Sequence, residues 1–251
     1  MTSRLHQVLA ARPRIFGGWV TGPTELGPEA FAAAGYDYVG FDLQHGYLDD
    51  AGCALLLRRG AHLPICTTVR LASAAPAPIG RVLDAGADAV IIAMVETAEQ
   101  AAAAVAAARF APDGIRSFGP LLPSLGHDIA ELQDRVGVFP MIETVAGVRE
   151  LSEILAVPGI TGVYVGPADL AVSMGLPVAE AWSNPAVTDQ MAAVATACSD
   201  AGLIPAVHAG SGQVGLAAAN LGFRMLTLAA ESGALRRGAT EHLKDAKGAQ
   251  L

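Results

Sequence analysis

Val136-Gly-Val-Phe-Pro-Met-Ile-Glu143 and Ile160-Thr-Gly-Val-Tyr-Val-Gly-Pro-Ala-Asp169 are the two stretches whose reading decides the fold. Each is a short apolar run, partly β-branched and bounded by glycine and proline, and each reads as a fully buried strand. Between them Val145, Val148, Leu151, Ile154 and Leu155 recur at the spacing of one helix face. Strand, helix and strand form a βαβ unit, so the strands run parallel and Glu143 and Asp169 emerge at the same end of the sheet. Parallel sheets build their sites at that end, and two carboxylates there suit a hard divalent cation. The competing reading is a pair of unrelated surface acids at strand ends.

Outward from this unit the same alternation fills the chain. Apolar runs at 15–20, 38–44, 65–71, 89–95, 136–143, 162–166, 204–207 and 225–229 read as strands. Helical stretches fall at 28–34, 51–59, 79–85, 98–110, 145–155, 185–201, 214–220 and 235–247. Ala34-Gly35, Ala85-Gly86, Ala201-Gly202 and Leu221-Gly222 close helices with a glycine suited to a left-handed cap. Eight of each is the count of a closed α/β barrel, the (β/α)8 or TIM barrel, and 251 residues is a usual length for one. With no linker or charge block to divide it, the chain is expected to be a single barrel domain over residues 1–251. One long irregular segment, 111–127, reads as a functional lid.

The composition is 52% hydrophobic and only 16% charged, with a mean hydropathy of +0.42. Soluble domains carry about 25% charged residues, so some helix faces are expected to be covered by other subunits. A formal charge of −8 argues against a nucleic-acid partner. No apolar run approaches the roughly 18 residues of a membrane span, and the amino terminus lacks the layout of a signal peptide. Cys53, Cys66 and Cys198 fit neither a disulfide framework nor a zinc knuckle. Buried free thiols in a cytoplasmic protein are the plain reading.

In a barrel, active-site groups gather at the carboxyl ends of the strands. The second strand ends Phe41-Asp42-Leu43-Gln44-His45-Gly46 and the third ends Thr68-Val69-Arg70. That rim therefore holds a base (His45), an acid to orient it (Asp42), a cation (Arg70) and the Glu143/Asp169 pair. A histidine after a strand is commonly structural. Five complementary groups on one rim point instead to catalysis.

The stretch from Met141 to Gly175, with Ile142-Glu-Thr144 and Gly166-Pro-Ala-Asp-Leu170, resembles the HpcH/HpaI family. These are class II, metal-dependent pyruvate aldolases of the hydroxy-oxo-heptanedioate aldolase type, with distant kin in the citrate lyase beta subunit. Gly18-Trp19, Asp42-x-x-His45, Arg70, Arg81-Val-Leu-Asp-Ala-Gly-Ala87 and Gly114-Ile-Arg116 extend the resemblance over nearly the whole chain. It implies that Glu143 and Asp169 ligate Mg²⁺, Mn²⁺ or Co²⁺. It implies that the turn of Gly166, Pro167, Ala168 and Asp169 presents backbone amides to a pyruvate carboxylate. His45 would be the general base, with Asp42 and Asp84 raising its basicity. Arg70 would hold the enolate oxygen, and Trp19 would wall the pocket. The implied reaction is cleavage or formation of 4-hydroxy-2-oxoacids from pyruvate or hydroxypyruvate and an aldehyde, through a metal-stabilised enolate. No Schiff base is needed, and the lysines, Lys244 and Lys247, lie near the carboxyl terminus. The resemblance further implies a hexamer in which the last helix, 234–249, crosses to a partner and Asp84 reaches a neighbour's site.

Three departures qualify the match. Met141 stands where the family often has a glutamine that contacts substrate, and Met cannot donate a hydrogen bond. Gln44 replaces the commoner glutamate beside His45. The seventh strand ends Val207-His208-Ala-Gly-Ser211, where His208 and Ser211 either contact the aldehyde half of the substrate or cap the next helix. Two other classes stay in view. A citrate-lyase-like acyl-CoA lyase would want a basic groove, for which Arg58-Arg59 is the compact candidate in the first half. A non-enzymatic binding barrel would make the matched rim groups coincidental.

Overall fold

The computed structural model describes residues 4–248. Its elements are α1 (Arg4–Ala11), β1 (Ile15–Val20), α2 (Leu26–Ala33), β2 (Tyr38–Asp42), α3 (Asp50–Arg59), β3 (Cys66–Leu71), α4 (Pro76–Asp84) and β4 (Ala89–Ile92). There follow α5 (Ala98–Ala108), α6 (Ile129–Asp134), β5 (Gly137–Ile142), α7 (Val145–Arg149), α8 (Leu151–Leu155), β6 (Gly162–Val165) and α9 (Pro167–Ser173). The chain ends with α10 (Pro185–Asp200), β7 (Ile204–His208), α11 (Gly212–Asn220), β8 (Met225–Ala230) and α12 (Glu231–Lys247). The strands close in sequence order, each parallel to its neighbours, into the expected (β/α)8 barrel.

Side chains alternate along each strand. Val39, Val69, Val90, Val138, Val163 and Val207 face outward into the layer of helices. Ile15, Tyr38, Cys66, Ile91, Phe139, Tyr164 and Met225 fill the interior, together with Leu5 and Leu9 of α1, which plug the amino-terminal end. Inside, the hydroxyls of Tyr38 and Tyr164 meet Thr227 Oγ1 at 2.8 and 2.6 Å, while the buried Thr68 hydroxyl has no partner. Gly35, Gly86, Gly202 and Gly222 all take the left-handed φ expected of helix caps. Among the described residues no helix is long and apolar enough to cross a membrane.

Several boundaries differ from the sequence reading for identifiable reasons. β2 stops at Asp42 because the carboxylate Oδ1 accepts the N–H groups of Gln44 and His45, both at 3.0 Å, and turns the chain. β4 stops at Ile92, two residues before Met94 adopts a φ of 55°. The helix expected over 145–155 is interrupted at Glu150, which leaves the helical region at ψ 8°. The segment 111–127 is no lid over this chain's own rim. Arg116 bonds Asp84, and the Leu121 N–H donates to the Asp84 carbonyl, so the segment lies against the far end of α4. α1, α6 and α9 were not anticipated. The last helix begins earlier than expected, at Glu231; Ala249, where that expectation ended, lies outside the described residues. No residue of α12 is buried, and Leu235 is 75% exposed, so this helix projects from the barrel.

Candidate active site

Arg70 and Asp42 face one another at the ends of adjacent strands, in register across β2 and β3. Arg70 Nε donates to Asp42 Oδ1 at 2.9 Å, and Nη2 donates to Oδ2, a two-pronged pair. Trp19 Nε1 donates to the same Oδ2 at 3.2 Å, and the guanidinium lies 5.4 Å from the Trp19 ring centroid. Burial alone would raise the Asp42 pKa, but the Arg70 hydrogen bonds and charge outweigh it and hold the carboxyl below its ordinary value. Asp42 is thus the anchor of Arg70. It accepts the backbone N–H of His45, not the imidazole, which corrects the expectation that it orients that ring. His45 is exposed at the rim.

Glu143 follows β5 and is 1% exposed. Its Oε1 accepts the Met94 N–H at 2.8 Å, and its Oε2, fully buried, is met by no N–H or hydroxyl, with the Asp169 carboxyl as its polar neighbour. Burial, together with the nearby charge of Asp169, lifts its pKa to about 7 against the opposing pull of the Met94 N–H and Arg70. A Cβ at Gly166 would lie 2.3 Å from Oε2, so only glycine leaves this oxygen its place. Asp169 is exposed in the first turn of α9. Among the described residues no cluster of three or more His, Cys, Asp or Glu is arranged to hold a metal. A free buried carboxylate oxygen, a side-chain-free wall and a second carboxylate nonetheless fit a Mg²⁺-like ion, which commonly takes one or two protein carboxylates and fills its shell with water and substrate oxygens.

His208 closes β7 with its ring edge-on to Trp19, centroids 5.2 Å apart. Burial, aided by the Arg70 charge, lowers its pKa to about 4, so the imidazole is neutral. Ser211 is a cap: its Oγ accepts the Val214 N–H at 3.2 Å. Met141 is buried in the barrel interior beside Gly166. Asp84 is not at this rim. It ends α4 at the opposite end of the barrel, where Arg116 Nη2 donates to it at 2.6 Å. Arg58 and Arg59 close α3 just ahead of β3, also away from the rim.

The structure therefore brings Trp19, Asp42, Arg70, Glu143, the Gly166–Asp169 turn and His208 to one end, and leaves Asp84 at the other. Two residues at this end had escaped the sequence reading. Met94 acts through its backbone in a left-handed conformation, which no residue type advertises. Glu231 directly follows β8, where its Oε1 accepts the Thr21 and Gly22 N–H groups, and the strand-end rule used for Glu143 would have flagged it.

Enzymes built on (β/α)8 barrels carry their sites at the carboxyl-terminal rim, where this chain gathers two acids, an anchored arginine and two histidines. Residues 16–231 match the family model for HpcH/HpaI aldolase/citrate lyase. The chain is 34% identical over 242 residues to a hydroxypyruvate/pyruvate aldolase of Rhizorhabdus wittichii, covering 94% of this chain and 95% of that one. It is 31% identical to a 4-hydroxy-2-oxo-heptane-1,7-dioate aldolase of Klebsiella pneumoniae, covering 92% and 88%. A solved HpcH/HpaI aldolase/citrate lyase family protein from Burkholderia cenocepacia superposes with a TM-score of 0.87 at 31% identity, covering 98% and 100%. The chain belongs to the HpcH/HpaI aldolase/citrate lyase family, and it is an enzyme of the aldolase kind.

Proposed function

We propose that the protein makes and breaks 4-hydroxy-2-oxoacids, using pyruvate or hydroxypyruvate as the oxoacid and an aldehyde as its partner, with a divalent cation held by Glu143 and Asp169. The observation that carries this reading is the partnerless Glu143 oxygen beside Gly166, on the rim that also holds Arg70. A bound cation supplies Lewis-acid stabilisation of negative charge on substrate oxygen. Arg70, fixed in advance by Asp42, offers its remaining N–H groups to the oxygen on which charge grows when the oxoacid loses a C3 proton. His45 takes that proton, and its exposed position gives it reach. The first turn of α9 leaves the N–H groups of Ala168 and Asp169 free for the substrate carboxylate, while Pro167 has none to offer. Trp19 walls the site, and His208, a neutral imidazole, faces the aldehyde half with one donor and one acceptor.

Assembly and location belong to the same reading. The projecting α12, with Leu235 and Leu243 exposed, supports a homo-oligomer, taken here as a hexamer, in which Asp84 serves a neighbour. Buried Cys53, Cys66 and Cys198 support the cytoplasm. Arg58 and Arg59, the candidate thioester groove, belong to the other end of the barrel, which disfavours an acyl-CoA substrate. The test is aldol formation from pyruvate or hydroxypyruvate and a short aldehyde. Product is expected with Mn²⁺ or Mg²⁺ and none in EDTA; undiminished product in EDTA overturns the reading.

A further inference from the structure

We propose that Glu231 is a positioning residue whose carboxylate pins the β1–α2 loop and, through Thr21, holds the segment that carries His45. The inference rests on the reading of His45 as the base and adds to it a group on which no role has been placed. Glu231 is the first residue of α12, directly after β8, at the same end of the barrel as the site. Its Oε1 accepts two successive backbone N–H groups, from Gly22 at 2.7 Å and Thr21 at 3.1 Å. Two N–H groups converging on one anionic oxygen form a small anion nest, which here is filled from within the chain.

The Gly22 N–H and the Thr21 carbonyl belong to one planar peptide unit. Glu231 orients that plane from one side. On the other side the Thr21 carbonyl accepts the Tyr47 N–H at 2.7 Å. Hydrogen bonds linked through one peptide group reinforce each other, so Glu231 strengthens the hold on Tyr47. His45 lies two residues before Tyr47, and Gly46 between them has no room to spare. A Cβ there would lie 2.2 Å from the Asp42 carbonyl oxygen and 2.9 Å from that of Thr21. The segment is therefore clamped between Asp42, which takes the N–H groups of Gln44 and His45, and Thr21, which takes that of Tyr47. Removing Glu231 frees one jaw. Because Glu231 opens α12, the clamp also ties the projecting helix to the placement of the base.

A glutamate in a first helical turn can also act only on its own helix dipole. Three substitutions separate the two roles. Glu231→Gln keeps an acceptor at the same reach without the charge. Glu231→Asp keeps the charge but falls one methylene short of the amides. Glu231→Ala loses both. Hydrogen-exchange mass spectrometry on the segments containing Gly22 and Tyr47 reads the clamp directly, whether or not the enzyme turns over. Mn²⁺ affinity and the rate of deuterium entry into the pyruvate methyl group are read beside it. The expectation is faster amide exchange at both segments in the Ala and Asp variants, unchanged Mn²⁺ affinity and KM, and a 10- to 100-fold lower kcat for methyl exchange, the scale of a misplaced catalytic group. Gln should restore both protection and rate. Protection at Tyr47 that survives Glu231→Ala, or rescue by Asp and not by Gln, overturns the proposal. Absence of methyl exchange in the unaltered protein counts against the proposed function and leaves the amide result to decide this one.

Discussion

Asp88 and Glu143 are two buried carboxylates on neighbouring strands, one entering β4 and the other leaving β5, and they are finished in opposite ways. Asp88 is 5% exposed and Glu143 1%, and burial raises the pKa of both. Asp88, at the amino-terminal end, takes the Thr67 N–H at 2.8 Å, the Thr67 hydroxyl at 3.2 Å and Arg135 at 3.5 Å. Leu5 and Leu9 plug the barrel interior at this end, and Asp88, Thr67 and Arg135 line a cavity of about 300 Å³ outside it. Glu143, at the carboxyl-terminal end, has one N–H and a bare oxygen. A buried carboxyl left half-paired costs stability, and like the left-handed Met94 beside it this is a kind of strain that clusters at functional sites. At the amino-terminal end Arg116 is half-satisfied too, its Nε and Nη1 without a hydrogen-bond partner and its guanidinium 4.5 Å from the Phe110 ring centroid. It supports Asp84, the one site candidate assigned to a neighbouring copy.

The contrast makes its strongest claim at Glu143 itself. Glu143→Gln should abolish measurable Mn²⁺ binding by calorimetry and lower turnover by at least roughly 10²–10³, while the fold survives. A variant that binds Mn²⁺ normally would erase the distinction between the two carboxylates. His45→Ala should reduce turnover by roughly 10²–10⁴, the range for a lost general base, with Mn²⁺ affinity kept because no ligand is touched. Near-normal turnover would make His45 a loop residue. At the amino-terminal end the effects should reverse. Asp88→Ala leaves Arg135 buried without its carboxylate and should cost about 3–5 kcal/mol of stability in urea titrations, with kcat of the folded protein little changed. Loss of kcat without loss of stability would contradict the structural assignment.

The smallest expected effect concerns His208 and pH. Its folded pKa of about 4 lies below the ordinary 6.5, so between these values the unfolded chain binds more protons. Stability contributed by the neutral ring is present above pH 6.5 and is lost as pH falls towards 4. His208→Phe removes that loss, so the variant should gain on the unaltered protein as pH drops from 7 to 4.5 in thermal melts. A stability difference that does not move with pH would mean that the ring is not held neutral by its surroundings.

The barrel and the carboxyl-terminal half of this contrast were legible in the sequence. Parallel strands buried on both sides are continuous apolar runs, which is why runs such as 15–20 and 136–143 mark the barrel. Glu143, Asp169 and Arg70 could be placed because a strand end is a position, readable without knowing any contact. What escaped depends on partners brought together only by folding. Asp42 could as well have turned to His45 as to Arg70, and the choice rests on register across β2 and β3. Met94 contributes a backbone N–H, which is the same in every residue but proline. The plug made by α1 rests on just Leu5 and Leu9, too few apolar positions for a periodic signal. Asp84 sits on a helix that returns to the opposite end, so its distance from the rim follows from topology and not from its neighbours in sequence.

Cation-assisted enolisation at the carboxyl-terminal end of the barrel can be followed without any aldehyde. Pyruvate is incubated in D₂O with the protein and Mn²⁺, and its methyl protons are followed by NMR in the unaltered protein and in Glu143→Gln. Methyl deuteration is expected to depend on Mn²⁺, to disappear in EDTA and to be absent in Glu143→Gln. Exchange at an undiminished rate in EDTA, or in Glu143→Gln, would contradict cation-assisted enolisation.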